Sequence, residues 1–140
     1  MPKTRTLLLA LLAVLGWTVI FFVFLDWWAV HTAIERPATT VGMLVGEVKR
    51  TAPALVYFFA VGLLLGRGLG PGTGGVWALV AAAVAMVIQA ISTQRIFPGG
   101  VDLVVLVVLA IDYLLPLLCA IAGAATSRLW RGTSGGDNPT

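Results

Sequence analysis

The sequence predicts an all-α integral membrane protein: a bundle of four transmembrane helices, with a short interfacial amphipathic helix between spans one and two. The prediction rests on the amino-acid composition and on the way the apolar residues are distributed along the chain. Of the 140 residues, 59% are hydrophobic and only 11% are charged, whereas soluble domains carry about 25% charged residues. The mean hydropathy is +1.00, and the apolar residues gather into long uncharged runs. A chain of this length has room for about four spans of about 20 residues each.

The composition also excludes several classes of protein. Cys119 is the single cysteine and His31 the single histidine. One chain therefore has no internal disulfide, no CxxC redox pair, no thiolate zinc site and no bis-histidine haem. The net charge of +3 suits loops that meet anionic lipid headgroups. We expect the lipid bilayer and a second copy or another membrane protein as partners, with no nucleic acid, no metal and no other cofactor.

Span one is predicted at residues 7–27. Leu7 to Leu25 carries no charge and would be about 28 Å long as a helix. Asp26 ends the run, and the two tryptophans that follow it suit a membrane–water interface. A secretory signal peptide is the alternative, but residues 16–22 are bulky where a cleavage site needs small side chains.

The connection at residues 29–52 contains the predicted amphipathic helix. Thr40 is the expected N-cap. Apolar residues then recur at the i, i+3, i+4, i+7 spacing of one helix face, namely Val41, Leu44, Val45 and Val48. The alternative is that this segment begins a long second helix kinked at Pro53.

Span two is predicted at residues 51–67. Its uninterrupted apolar run, Ala54 to Leu65, is too short to cross a bilayer alone. Arg50 and Arg67 bracket the run and can extend their side chains to the headgroups, so a short span is favoured over a re-entrant segment.

Residues 66–75 contain six glycines and are expected to form a flexible turn. The segment lacks the GK[ST] ending or the GxGxxG pattern of phosphate-binding loops. Span three is predicted at residues 76–94 and span four at 101–126, antiparallel across a tight turn at 96–100. Residues 1–131 should form a single domain, followed by a disordered polar tail at 132–140.

Charge at the span ends favours both termini on the cytoplasmic side of the plasma (inner) membrane, because Lys and Arg are enriched in cytoplasmic loops. The margin is small. Five cations lie on the side of the termini (Lys3, Arg5, Arg67, Arg128 and Arg131), and four lie on the other side (Arg36, Lys49, Arg50 and Arg95).

Asp112 is the most informative residue for function. It is an ionisable group well inside span four, near the expected midplane, and such residues are rare unless they serve a function. Pro116 lacks an N–H and frees the carbonyl of residue 112. With Cys119 and Gly123 these residues form a small or polar stripe. Asp112 could be a proton or cation site, a contact with a partner, or a protonated link to Thr18, Trp17 or water. Gln89 is the polar residue inside span three.

Two further patterns in the sequence concern metal ligation and helix packing. Asp26, His31 and Glu35 cluster after span one, but His31 and Glu35 alone are too few ligands for a tight metal site. Small residues four apart let helices approach closely, and they occur as Gly62 with Gly66 and Ala120 with Ala124.

No Ser or Cys has a base placed beside it, and no span contains two carboxylates, so we expect a protein without enzymatic activity. The favoured function is a small non-catalytic membrane subunit or scaffold that packs against partner helices. The alternative is a small oligomeric transporter or channel for a proton or cation that uses Asp112.

Overall fold

The computed structural model describes residues 2–25, 27, 39–93 and 102–134, and within these ranges the regular structure is helical, with no strand. Two helices are continued or interrupted by π-helical turns, in which one extra residue widens the helix. The elements are α1 (Pro2–Ile20) with a π-helical turn at Phe21–Leu25, α2 (Thr40–Leu69), α3 (Pro71–Thr93), α4 (Leu103–Leu109), a π-helical turn at Ala110–Leu114, and α5 (Leu115–Ser134).

Four helical stretches are long and apolar enough to cross a membrane, which confirms the predicted all-α architecture with four apolar helices. The fourth stretch joins α4, the π-helical turn and α5, and is called the fourth span below. The candidate spans are Thr4–Phe24, Thr40–Leu69, Pro71–Ile91 and Leu103–Trp130.

The separate amphipathic helix predicted before span two is not seen, because residues 40–50 are the first turns of α2. This is the alternative of one long second helix. The N-cap is Thr39 rather than Thr40, and its hydroxyl accepts a hydrogen bond from the Gly42 N–H at 3.1 Å. Pro53 lies inside α2, where it removes one helical hydrogen bond. The helix is nevertheless continuous.

The glycine-rich segment also differs from the predicted flexible turn. Helix α2 continues to Leu69 and α3 begins at Pro71, so only Gly70 separates them. Gly70 has a φ of 95°, a conformation that residues with a Cβ rarely adopt. Proline suits the first helical position, because its fixed φ is helical and its missing N–H would have no helical partner there.

The helix that contains the fourth span continues past residue 126, the predicted end of that span. Helix α5 reaches Ser134, so the first residues of the predicted tail are helical. The remainder of that tail, residues 135–140, lies outside the described residues.

Helices α2 and α5 run parallel and pack closely along their length. Gly62 lies against Ala120, and one turn later Gly66 lies against Ala124 and Ser127. A Cβ at Gly62 would overlap the carbonyl oxygen of Ala120, and one at Gly66 would lie 2.6 Å from the Ser127 hydroxyl. The two backbones are therefore in direct contact.

Aromatic side chains from α1 and α2 fill the centre of the bundle. Trp17 and Phe58 are almost completely buried, with ring centroids 5.2 Å apart. They pack on a surface of small residues from α3, chiefly Ala78, Ala82 and Ala85. The indole N–H of Trp17 donates to the Gln89 amide oxygen at 3.2 Å, which adds a polar link between α1 and α3.

We predict that Gly62→Ala destabilises the bundle by about 1–3 kcal/mol, the usual cost of overpacking a filled interface. Gly68→Ala is the matched control on the same helix, since a Cβ there meets nothing within 4 Å. The stability of both variants is measured by thermal unfolding in detergent, with size-exclusion chromatography as the readout of the folded fraction. Equal stability of the two variants would contradict close contact between α2 and α5.

Candidate functional site: a charged cluster between α2 and the fourth span

Asp112 lies in the π-helical turn of the fourth span and is buried, with only 5% of its side chain exposed. The turn has a local cause. Pro116 cannot donate a hydrogen bond to the carbonyl of residue 112, and its ring would clash with that carbonyl in an ordinary α-helix. The Leu115 N–H instead bonds the Ala110 carbonyl, five residues back. Such turns are frequent at functional sites.

Asp112 lies nearer the first residue of the fourth span than its last, and its expected position near the membrane midplane stays a prediction. The candidate span is the 28-residue stretch Leu103–Trp130, so Asp112 is about one third of the way from its first residue. On the scale of 1.5 Å per residue, it lies about 14 Å from Leu103 and about 27 Å from Trp130.

Both carboxylate oxygens of Asp112 are bound by neighbouring residues of α2. Arg50 donates from Nη2 to Oδ2 at 2.7 Å. The Thr51 hydroxyl lies 2.9 Å from Oδ1 and also 2.9 Å from the carbonyl oxygen of Glu47. Arg50 and Thr51 are adjacent, so a single turn of α2 supplies a charge and a hydroxyl to one carboxylate.

Glu47 completes the cluster from one turn earlier on the same helix. The same Nη2 of Arg50 donates to Glu47 Oε1, and the Glu47 carboxyl also interacts with that of Asp112. We call Glu47, Arg50, Thr51 and Asp112 the charged cluster. The Arg50 side chain is 37% exposed and that of Glu47 16% exposed, so the cluster opens toward the surface on the α2 side.

The charge balance of the cluster determines its chemistry. Two carboxylates face one guanidinium, so the fully ionised cluster carries one excess negative charge. A buried unbalanced charge is costly, and one further positive charge would balance the cluster. The charge balance of the arrangement thus has room for one proton or one cation.

Small side chains close the interface between α2 and α5 beyond the cluster. From Gly62 to Gly66 on α2, and from Ala120 to Ala124 on α5, the backbones touch. This placement shows where the small residues identified in the sequence lie, which is on facing helices of one chain. The described residues show no polar route through this part of the interface.

The other sequence-predicted partners of Asp112 lie elsewhere. Thr18 donates its hydroxyl to the Val14 carbonyl of its own helix at 2.9 Å, and Trp17 binds Gln89. Pro116 and Gly123 are buried on the stripe predicted for the fourth span, and the Cys119 thiol is free and partly buried.

The cluster predicted after span one, Asp26, His31 and Glu35, lies outside the described residues. Among residues 2–25, 27, 39–93 and 102–134, no three His, Cys, Asp or Glu side chains come together as metal ligands.

Sequence reasoning missed Glu47, Arg50 and Thr51. Glu47 falls within the connection predicted at residues 29–52, and Arg50 was expected to reach the headgroups. A signal was present: the three residues follow the i, i+3, i+4 spacing of one helix face. A buried carboxylate also favours a cation or a hydrogen-bond donor on a neighbouring helix.

Comparisons with protein-family models, with curated proteins and with solved structures found no match for this chain.

We predict that Arg50→Gln destabilises the protein by about 1–3 kcal/mol, because it leaves Asp112 buried without a cation. The loss should fall below the about 3–5 kcal/mol of a fully buried pair, since Arg50 is partly exposed. Thermal unfolding in detergent measures the change.

Lys49→Gln is the control for this prediction, because it removes the same charge from the adjacent, exposed position. It should leave the unfolding temperature nearly unchanged. Equal losses in the two variants would show that overall charge, and not the contact with Asp112, matters.

Proposed function

We propose that this chain is a small, non-catalytic integral membrane protein that acts as a subunit or scaffold among other membrane helices. The observation that carries the proposal is that the hydrogen-bond partners of the Asp112 carboxylate come from the chain itself. Both oxygens of its carboxylate are bound within the chain, and the interface beyond it is filled by small side chains. The charged cluster therefore serves to hold α2 against the fourth span.

The outer surface of the bundle supports the same proposal. In the window that defines each candidate span, only 17% of the residues of the first and of the fourth are buried inside the structure. The exposed side chains there are large and apolar, among them Leu12 and Leu15 on α1 and Leu118 and Ile121 on α5. Such surfaces suit lipid tails and neighbouring apolar helices alike.

We further propose that both termini face the cytoplasm at the plasma (inner) membrane. Arg50 is one of the four cations on the side opposite the termini, and it therefore counts against this orientation. Because it is bound to Glu47 and Asp112, it is a weaker determinant of orientation than a cation in a loop. A reporter fused after Ser134 should lie in the cytoplasm, and one inserted within residues 29–38 should lie outside it. Reporters on the same side would contradict four crossings.

A proton or cation carrier is the second candidate function, and the contact between Glu47 and Asp112 favours it. One excess negative charge near a partly exposed arginine offers a place for one proton. If Trp130 marks one interface, Asp112 lies about 27 Å away, near the opposite edge of a core about 30 Å thick. The cluster would then exchange protons with that side of the membrane.

Proton flux into proteoliposomes distinguishes the two functions. A subunit should give no flux above that of empty vesicles, and it should be found with a second chain by native mass spectrometry in mild detergent. A carrier should give flux that Asp112→Asn abolishes, because Asn keeps the shape but cannot ionise.

Asp102→Asn is the matched control for the flux measurement. Asp102 is an exposed N-cap on the same span, and Asn caps a helix about as well as Asp. Flux lost in Asp112→Asn but retained in Asp102→Asn would overturn the subunit proposal. A lone monomer without flux would contradict both functions.

A further inference from the structure

A cavity of about 230 Å³ opens between α1 and α2 at the end of the bundle where the chain begins. Arg5 and Thr6 line it from the first turns of α1. The apolar part of its wall comes from leucines on both helices, Leu9, Leu64, Leu65 and Leu69. The cavity thus combines one guanidinium with a leucine-lined groove.

The charges at this end of the bundle are basic. Arg5 is exposed on α1, Arg67 on α2 and Arg128 on α5. Arg67 also lies over the Trp130 ring, 5.3 Å from its centroid. Within the described residues, the carboxylates lie toward the other end, as Glu47, Asp102 and Asp112. The N-terminus of α1 adds the positive end of its helix dipole.

We propose that this cavity binds a phospholipid with an anionic headgroup. The phosphate and headgroup would lie at Arg5, near the positive end of the α1 helix dipole. The upper part of one acyl chain would lie along Leu9 and Leu64. This inference does not depend on whether the protein is a subunit or a carrier.

Charge complementarity identifies the occupant. A free inorganic anion would pair with the arginine but leave the leucine groove empty. A neutral hydrocarbon would fill the groove but make no ion pair at the basic end. An anionic lipid matches both parts. Juxtamembrane cations attract such lipids, and one cation changes the affinity by about fivefold.

Lipid retention measured by native mass spectrometry tests the proposal. The full chain is purified in detergent and titrated with phosphatidylglycerol or with phosphatidylcholine of the same acyl chains. The expected result is tighter binding of phosphatidylglycerol. Equal affinity for the two lipids would overturn the proposal, because the arginine would then play no part.

Two variants locate the site and one controls for charge. Arg5→Gln should weaken phosphatidylglycerol binding about fivefold. Gly68→Leu should weaken it independently by filling the cavity, which Gly68 lines. Arg128→Gln removes an exposed cation from the same end and should change binding by less than about twofold, since it lies outside the cavity. Equal losses in Arg5→Gln and Arg128→Gln, with binding unchanged in Gly68→Leu, would overturn the proposal, because they would show only general attraction to a basic surface.

Discussion

The pairing of Asp112 with Arg50 and Thr51 is the constraint on which the rest of the structure depends. A carboxylate that is 5% exposed requires a cation or hydrogen-bond donors from a neighbouring element. Asp112 obtains both from one turn of α2. That turn must therefore be helical and must pack on the fourth span, so α2 cannot begin after Arg50. Residues that look like part of an interfacial loop become the beginning of a long helix.

The same pairing is consistent with the register of the two parallel helices along their whole contact. With Thr51 beside Asp112, the glycines of α2 face the alanines of α5, and Gly123 faces the backbone of α2 at Phe59. A shift of one residue would turn the glycines away and bring larger side chains into the interface. Polar contacts at one end and small residues at the other thus specify one alignment. Individual hydrogen bonds between membrane helices contribute only about 0.6 kcal/mol on average, so close packing must supply much of the stability.

The sequence predicted the helical class and the four apolar stretches, because composition and uncharged runs depend on local information. It singled out Asp112 for the same reason. The partners of Asp112, Arg50 and Thr51, could not be predicted from the sequence in the same way. Arg50 has the same local surroundings whether it reaches a headgroup or a carboxylate on another helix, and only the packing distinguishes these. The glycine-rich segment was misjudged because close contacts at Gly66 and Gly74 outweigh the low helix propensity of glycine.

An exchange of charges between positions 50 and 112 tests the pairing most directly. Arg50→Asp and Asp112→Arg each place like charges together, and each should lower the unfolding temperature or prevent accumulation of the folded chain. The double variant restores one cation and one carboxylate in contact and keeps the total charge. The account predicts that the double variant is more stable than either single variant. A double variant as unstable as the sum of the two single changes would show that these side chains do not interact, and would contradict the account.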